Sequence, residues 1–148
     1  MTRSARLSVK VEWGDCDPAG IVFYPNYLRW FDAATHHLFD SVGADWKELF
    51  HKYNSIGVPL VGVDCKFIKP SRHGDRIEVE ASIVEWRNRT FRVQHRVFND
   101  GELAVEGSET RFWGIGDADD PERLRAGVIP AEVKALFDDG GPAAAPEP

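Results

Sequence analysis

The chain has 148 residues, a length that fits one domain with its own core, and it sets 18 lysines and arginines against 24 aspartates and glutamates for a net charge of −6. That balance, with no basic stripe to follow a phosphate backbone, speaks against nucleic acid as a partner. No apolar run approaches the roughly 20 residues of a membrane helix, MTRSARLSVKVEW lacks a signal-peptide core, and a cytoplasmic protein without membrane contact is expected.

In chain order, Leu7, Val9, Val11 and Trp13 alternate with Ser8, Lys10 and Glu12, the period of a half-buried strand ending at Gly14. From Pro25 the spacing changes to three- and four-residue steps through Tyr27, Trp30, Phe31, Ala34, Leu38 and Val42, with Pro25 suited to a first turn and Gly43 to a stop. A helix of about five turns is predicted, and because Leu28, Ala33 and Phe39 broaden its apolar stripe, other elements should enclose it. A shorter helix is predicted over 45–53, capped by Asp45, followed by a loop carrying Gly57 and Pro59.

Four strand-like runs follow, 60–68, 76–86, 90–99 and 102–115, and the linkers RNR and NDG have hairpin length. One strand, one long enclosed helix and a four-stranded meander predict an α+β fold with a five-stranded antiparallel sheet curled around the helix. After Ile115 the stretch GDADDPERLRAG reads as polar and without a strand, and PAEVKALFDD as a short helix. Residues 1–138 are expected to form the single domain and 139–148 a disordered tail.

The chemistry concentrates in GDCDPAGIVFYPNY, at the exit of the first strand and the start of the long helix. Asp15 and Asp17 are two apart, a spacing that suits turn formation as well as acid–base work. The helix start adds backbone N–H groups near Tyr24 to Asn26 that suit an oxyanion, and since Pro25 has none, the donor is Tyr24 or Asn26. A carboxylate beside a polarised acyl carbon can attack it or activate water, and either route is hydrolysis.

Cys16 is a rival nucleophile, but no histidine follows it locally, and it also reads as a small apolar filler. Neither Cys16 nor Cys65 sits in a C-x-x-C pair, so both are read as reduced thiols. Five histidines include adjacent His36 and His37, which diverge on a helix, and no metal-ligating spacing occurs, so no metal is expected. His95, on an apolar strand face, reads as a hydrogen-bonded core residue. Arg87 and Arg89 flank a turn where forked guanidiniums suit phosphates, and Lys66, Lys69 and Arg72 form a small basic cluster.

With GDCDPAGIVFYPNYLRWFDAA, GVPLV, EWRNRTF and ERLRAGVIPAE all in place, the sequence resembles the hot-dog-fold acyl-CoA thioesterases, most closely their 4-hydroxybenzoyl-CoA thioesterase branch. The resemblance implies a coenzyme A thioester substrate, no cofactor, and a homodimer or homotetramer with sites at the dimer interface. It also implies that Asp17 is the essential carboxylate, nucleophile or general base, and that the Tyr24 N–H holds the thioester oxygen. Arg87 and Arg89 correspond to the CoA-phosphate turn, whose usually basic middle position is Asn88 here. Asp32 matches the position that helps bind the phenol hydroxyl; its partner there, a threonine before proline, is replaced by Val58 before Pro59. Val58 suits an unsubstituted ring, so benzoyl-CoA stands beside 4-hydroxybenzoyl-CoA as the expected substrate.

A Tol-Pal-associated sister branch, acting on short-chain acyl-CoA, typically has YHANY where this chain has FYPNY. A non-catalytic acyl-CoA binder and a hot-dog hydratase are the remaining alternatives; intact Asp17 argues against the first and the lack of a His/Asp or His/Glu motif against the second.

Overall fold

A computed structural model describes residues 3–117 and 119–138. Strand β1 (Ser4–Lys10) turns Ala5, Leu7 and Val9 inward and Arg6, Ser8 and Lys10 outward. It ends earlier than the alternation predicts: Trp13–Asp15 form one 3-10 turn, and Trp13 is 77% exposed rather than on the inner face. The turn closes because the Glu12 N–H donates to Asp15 Oδ2 at 2.9 Å, which stops the extended run.

Helix α1 (Pro25–Ser41) starts on Pro25 and stops before Gly43, whose φ of 76° a side chain would resist. Tyr27, Trp30, Phe31, Ala34, Thr35, Leu38 and Phe39 form its buried stripe. Ala33 lies on the exposed side with Asp32 and His36, so within one protomer the helix is covered on one side rather than enclosed. Helix α2 (Trp46–Lys52) is capped as expected, Asp45 Oδ1 accepting from the Glu48 N–H at 3.1 Å.

The remaining elements are β2 (Ser55–Gly57), β3 (Leu60–Phe67), β4 (Arg76–Trp86), β5 (Thr90–Asn99), β6 (Glu102–Phe112), β7 (Gly114–Asp117), β8 (Asp120–Ala126) and α3 (Ala131–Leu136). Five strands form one antiparallel sheet in the order β1-β4-β5-β6-β3. Its inner face presents Ile77, Val79, Ala81 and Ile83 from β4 and Phe91, Val93, His95 and Val97 from β5, all buried in the core shared with α1. Gly107 of β6 leaves room for its neighbours: a Cβ there would overlap the Asp64 backbone oxygen of β3 and meet the Phe31 ring of α1 at 3.0 Å.

Two expectations need correction. The run 102–115 is two strands, because Trp113 leaves the β6 ladder and its N–H donates to the Arg89 carbonyl at 3.0 Å. The polar stretch after Ile115 contains β8, which joins β7 and β2 in a second, three-stranded sheet. Charged Glu122, Arg123 and Arg125 conceal β8 because its pairing, Gly114 with Ala126 and Ile115 with Arg125, rests on backbone rather than on an apolar face. Helix α3 forms as expected and brings Phe137 against Phe39, Trp46 and Trp86. The expected tail, 139–148, lies outside the described residues. No helix among the described residues is long and apolar enough to cross a membrane.

Candidate active site

Between the 3-10 turn and α1 the chain doubles back through a short antiparallel bridge, Cys16 opposite Val22. The Asp17 N–H donates to the Ile21 carbonyl and the Gly20 N–H to the Asp17 carbonyl, both at 2.9 Å. Pro18 after the aspartate and Gly20 at φ 79° are the residues such a tight reversal requires. Asp17 Oδ1 accepts from the Ala19 N–H at 2.8 Å, which fixes the half-buried side chain and leaves Oδ2 without a hydrogen bond among the described residues.

The other acid is occupied differently. Asp15 Oδ2 accepts from Glu12, its Oδ1 pairs with Arg29 Nη2 at 3.1 Å, and its carbonyl accepts from the Phe23 N–H at 2.8 Å and from Asn26 Nδ2 at 2.9 Å. Asp15 therefore ties the Asp17 loop to the first turn of α1. Those ties also separate the two candidate donors: the Asn26 N–H bonds the Phe23 carbonyl at 2.9 Å, whereas the Tyr24 N–H has no hydrogen-bond acceptor among the described residues. Tyr24 is the backbone donor the helix start leaves open.

Asp17 and Tyr24 line one pocket of about 480 Å³ together with Ile21, Tyr27, Phe67 and Lys69. Its walls are aromatic, the Tyr24 and Phe67 rings lying 6.4 Å apart and those of Tyr27 and Phe67 5.8 Å apart. Burial pushes the Tyr27 phenol up, partly offset by hydrogen bonding to Ser71. Ser71 in turn accepts from Asn99 Nδ2 at 3.0 Å, and its carbonyl accepts from the Val22 N–H at 2.9 Å. The segment leading to Tyr24 is thus held from behind by a buried polar chain. Of the basic cluster Lys66, Lys69 and Arg72, Lys69 lines this pocket, paired with Glu102 at 2.9 Å. Cys16 Sγ contacts the Glu12 carbonyl at 3.7 Å, which is no base.

The other expected site residues lie elsewhere in the protomer. Val58 and Pro59 line a second pocket of about 430 Å³ with His36, Trp46, Phe50 and Arg111, and it shares no lining residue with the first. Asp32 adjoins it, 57% exposed, through an ion pair to Arg111 at 2.7 Å. Arg87 and Arg89 are exposed at the β4–β5 turn and line neither pocket; Arg87 pairs with Glu85 at 2.9 Å.

Residues 11–135, most of the chain, match the thioesterase-like superfamily. The chain belongs to that superfamily. It is similar to the 4-hydroxybenzoyl-CoA thioesterase of Pseudomonas sp. (strain CBS-3), 36% identical over 142 residues that cover 92% of this chain and 99% of that one. Among solved structures it resembles a D17N mutant of 4-hydroxybenzoyl-CoA thioesterase complexed with 4-hydroxybenzoyl-CoA, with a TM-score of 0.83 and 34% identity over 92% of this chain and 99% of that one. It also resembles a gentisyl-coenzyme A thioesterase, with a TM-score of 0.74 and 34% identity over 90% and 98% of the two chains. The fold is therefore the hot-dog fold, and this member of the superfamily is an acyl-CoA thioester hydrolase.

Two residues of this thioesterase escaped the sequence reading. Glu109 and Arg111, on the inner face of β6, are 1% and 4% exposed and bonded to each other, Arg111 Nη2 to Glu109 Oε2 at 2.7 Å. Glu109 also accepts from Thr35 and, at 2.8 Å, from His95 Nε2, while the His95 ring stacks on Phe31 at 4.4 Å. Burial alone would raise the Glu109 carboxyl, yet the donors His95, Arg111 and Thr35 outweigh it and hold it at about 2. Glu109 and Arg111 share strand parity with Val105 and Trp113, and two opposite charges at that parity are the sequence signal of a buried pair.

Proposed function

We propose that the protein hydrolyses an aromatic acyl-CoA, of the 4-hydroxybenzoyl-CoA or benzoyl-CoA type, to the free acid and CoA. The reading is carried by one juxtaposition: a carboxylate oxygen of Asp17 and the N–H of Tyr24, both without protein partners among the described residues, line one aromatic-walled pocket. Asp17 either attacks the thioester carbonyl, expelling CoA thiolate and leaving a mixed anhydride that water cleaves, or removes a proton from the attacking water. In both routes negative charge grows on the carbonyl oxygen, where one oriented N–H is worth about 3–4 kcal/mol of barrier. The similar 4-hydroxybenzoyl-CoA and gentisyl-coenzyme A thioesterases support an aromatic acyl group.

The same reading makes the enzyme a dimer through β3. This edge strand of eight residues leaves Leu60, Val61, Val63 and Phe67 exposed, an apolar edge that calls for a partner. Phe67, at one end, lines the Asp17 pocket, and Leu60, at the other, follows directly on Val58 and Pro59. Two-fold antiparallel pairing of β3 with its copy sets the Asp17 pocket of one protomer beside the Val58–Pro59 pocket of the other, so that the thioester and its acyl ring are held across the interface. Arg87 and Arg89 are assigned to the CoA phosphates.

A thiol-release assay with benzoyl-, 4-hydroxybenzoyl- and short aliphatic CoA esters tests this. Wild type is expected to favour the aryl esters, and Asp17→Asn to lose at least a hundredfold in kcat. Undiminished turnover in Asp17→Asn would sink the mechanism, loss of turnover in Cys16→Ser instead would install the thiol, and preference for the aliphatic esters would transfer the enzyme to the short-chain class.

A further inference from the structure

Expelling sulfur is the step of the hydrolysis for which Asp17 and the Tyr24 N–H make no provision. When a carboxylate adds to a thioester carbonyl, the tetrahedral adduct can lose either the carboxylate or the sulfur. The ordinary pKa values of thiols and carboxylic acids differ by about four to five, so the carboxylate is the better leaving group and the adduct reverts unless the thiolate is helped out. An N–H on the carbonyl oxygen steadies the adduct without favouring either exit. A positive charge beside the sulfur does favour one.

The pocket wall carries such a charge. Among the described residues lining the 480 Å³ pocket, Lys69 is the one with a cationic side chain. Strand β3 ends with Phe67 opposite Val105, and the next two N–H groups, of Ile68 and Lys69, both donate to the Ala104 carbonyl at 2.9 Å. Two residues thus oppose one, as in a bulge, a device that re-aims a side chain. An unbroken strand would send neighbouring residues to alternate faces, yet Phe67, Ile68 and Lys69 all line the pocket. Pro70 follows, and with no N–H to offer it ends the pairing.

The amine is held at the rim without being used up. Lys69 Nζ donates to Oε2 of the exposed Glu102 at 2.9 Å, and this hydrogen bond pushes the amine up, so that it stays protonated at neutral pH. Exposed pairs of this kind are weak, and an ammonium has two more N–H donors than the one Glu102 takes.

We propose that Lys69 is a catalytic residue for departure of the thiol, its ammonium facing the thioester sulfur at the mouth of the Asp17 pocket. The bond between carbonyl carbon and sulfur breaks, its electron pair passes to sulfur, and CoA leaves as a thiolate paired with the ammonium, which keeps its proton. The acyl carbon keeps the oxygen that attacked it, from Asp17 or from water. The inference rests on the thioester-hydrolysis reading above and adds the group that drives the adduct forward.

The test measures kcat and KM for the benzoyl thioesters of CoA, pantetheine and 4-nitrothiophenol in wild type, Lys69→Met, Lys69→Arg and Tyr24→Phe. Pantetheine has the alkyl thiol of CoA without its phosphates, and 4-nitrothiophenol, a far stronger acid, leaves unaided. Lys69→Met keeps an unbranched stem at a partly exposed position and is expected to fold. It is expected to lose about a hundredfold in kcat on the CoA and pantetheine esters alike, with KM little changed, and no more than about threefold on the nitrothiophenyl ester. Lys69→Arg keeps the charge and is expected to retain most of kcat, and Tyr24→Phe, which keeps the backbone N–H, to show no dependence on the leaving group.

An unchanged kcat in Lys69→Met, an equal loss on all the esters, or a loss confined to the CoA ester, which would make Lys69 a phosphate contact, would overturn the inference while leaving Asp17-dependent hydrolysis standing. So would the expected pattern appearing in Tyr24→Phe instead, which would assign the role to the phenol. A wild type that cleaves none of the esters overturns the reading beneath it.

Discussion

Replacing Glu109 by glutamine probes the buried network at its centre. Relative to an ordinary carboxyl at 4.5, one held at about 2 corresponds to about 3 kcal/mol of folding stability. The sign follows from proton binding: folded Glu109 takes up its proton less readily than the unfolded chain does, so its contribution is complete above pH 4.5 and drains away as pH falls toward 2. Glutamine keeps the shape and removes the charge, and at neutral pH it leaves the Arg111 guanidinium, 4% exposed, with Asp32 as its one carboxylate among the described residues. Breaking one side of a buried pair costs about 3–5 kcal/mol. Urea unfolding followed by tryptophan fluorescence, at one protein concentration so that assembly does not enter, should therefore show a large gap between wild type and Glu109→Gln at pH 7. That gap should narrow by about 3 kcal/mol as pH falls through the window from 4.5 to 2. A gap that is absent at pH 7, or constant as pH falls, would refute the idea that an ionised Glu109 holds this side of the core together.

Other outcomes follow from single features. Gly107→Ala pushes a methyl into the Asp64 backbone and the Phe31 ring, and should cost about 1–3 kcal/mol with the urea midpoint falling and the m-value unchanged; an unaltered midpoint would mean that Asp64 and Phe31 do not crowd this position. Burial, with a smaller contribution from Asp64, pushes the Cys65 thiol up to about 11. In a Cys16→Ser background, iodoacetamide at pH 8 should alkylate Cys65 on the order of a hundredfold more slowly than free cysteine, and an ordinary rate would contradict its half-buried place. Removing both turn guanidiniums, Arg87→Ala with Arg89→Ala, should raise KM for a CoA ester about tenfold with kcat little changed, the effect shrinking in high salt. An equal rise with a pantetheine thioester, which lacks the nucleotide phosphates, would remove the phosphate assignment.

What the sequence disclosed and what it hid divide along a physical line. Local signals carried the long helix, because Pro25, the three- and four-residue apolar steps and Gly43 all act within a few turns, and they carried the hairpins, because Asp100 and Gly101 take the positive φ values that an NDG turn demands. They could not carry β8, whose strand character comes from a neighbour's backbone, nor the end of β1, where one capping bond overrides the alternation that would have buried Trp13. The resemblance singled out Asp17, but spacing alone could not say why: two acids become a tie and a carboxylate with one open oxygen only once Arg29 and Asn26 on the helix claim the first of them.

Arg111 lies furthest from local inference. Its strand parity with Glu109 was readable, but its partners Asp32 and Val58 stand 79 and 53 residues away and meet only when α1, the loop before β3 and β6 have all folded. A guanidinium that closes such long loops is costly to assemble and has no local advantage over leucine, and a buried ion pair is weak grounds for stability. Its one planar group holds α1, the loop before β3 and β6 in a fixed relation through Asp32, Val58 and Glu109, an arrangement that no local stretch of the sequence announces.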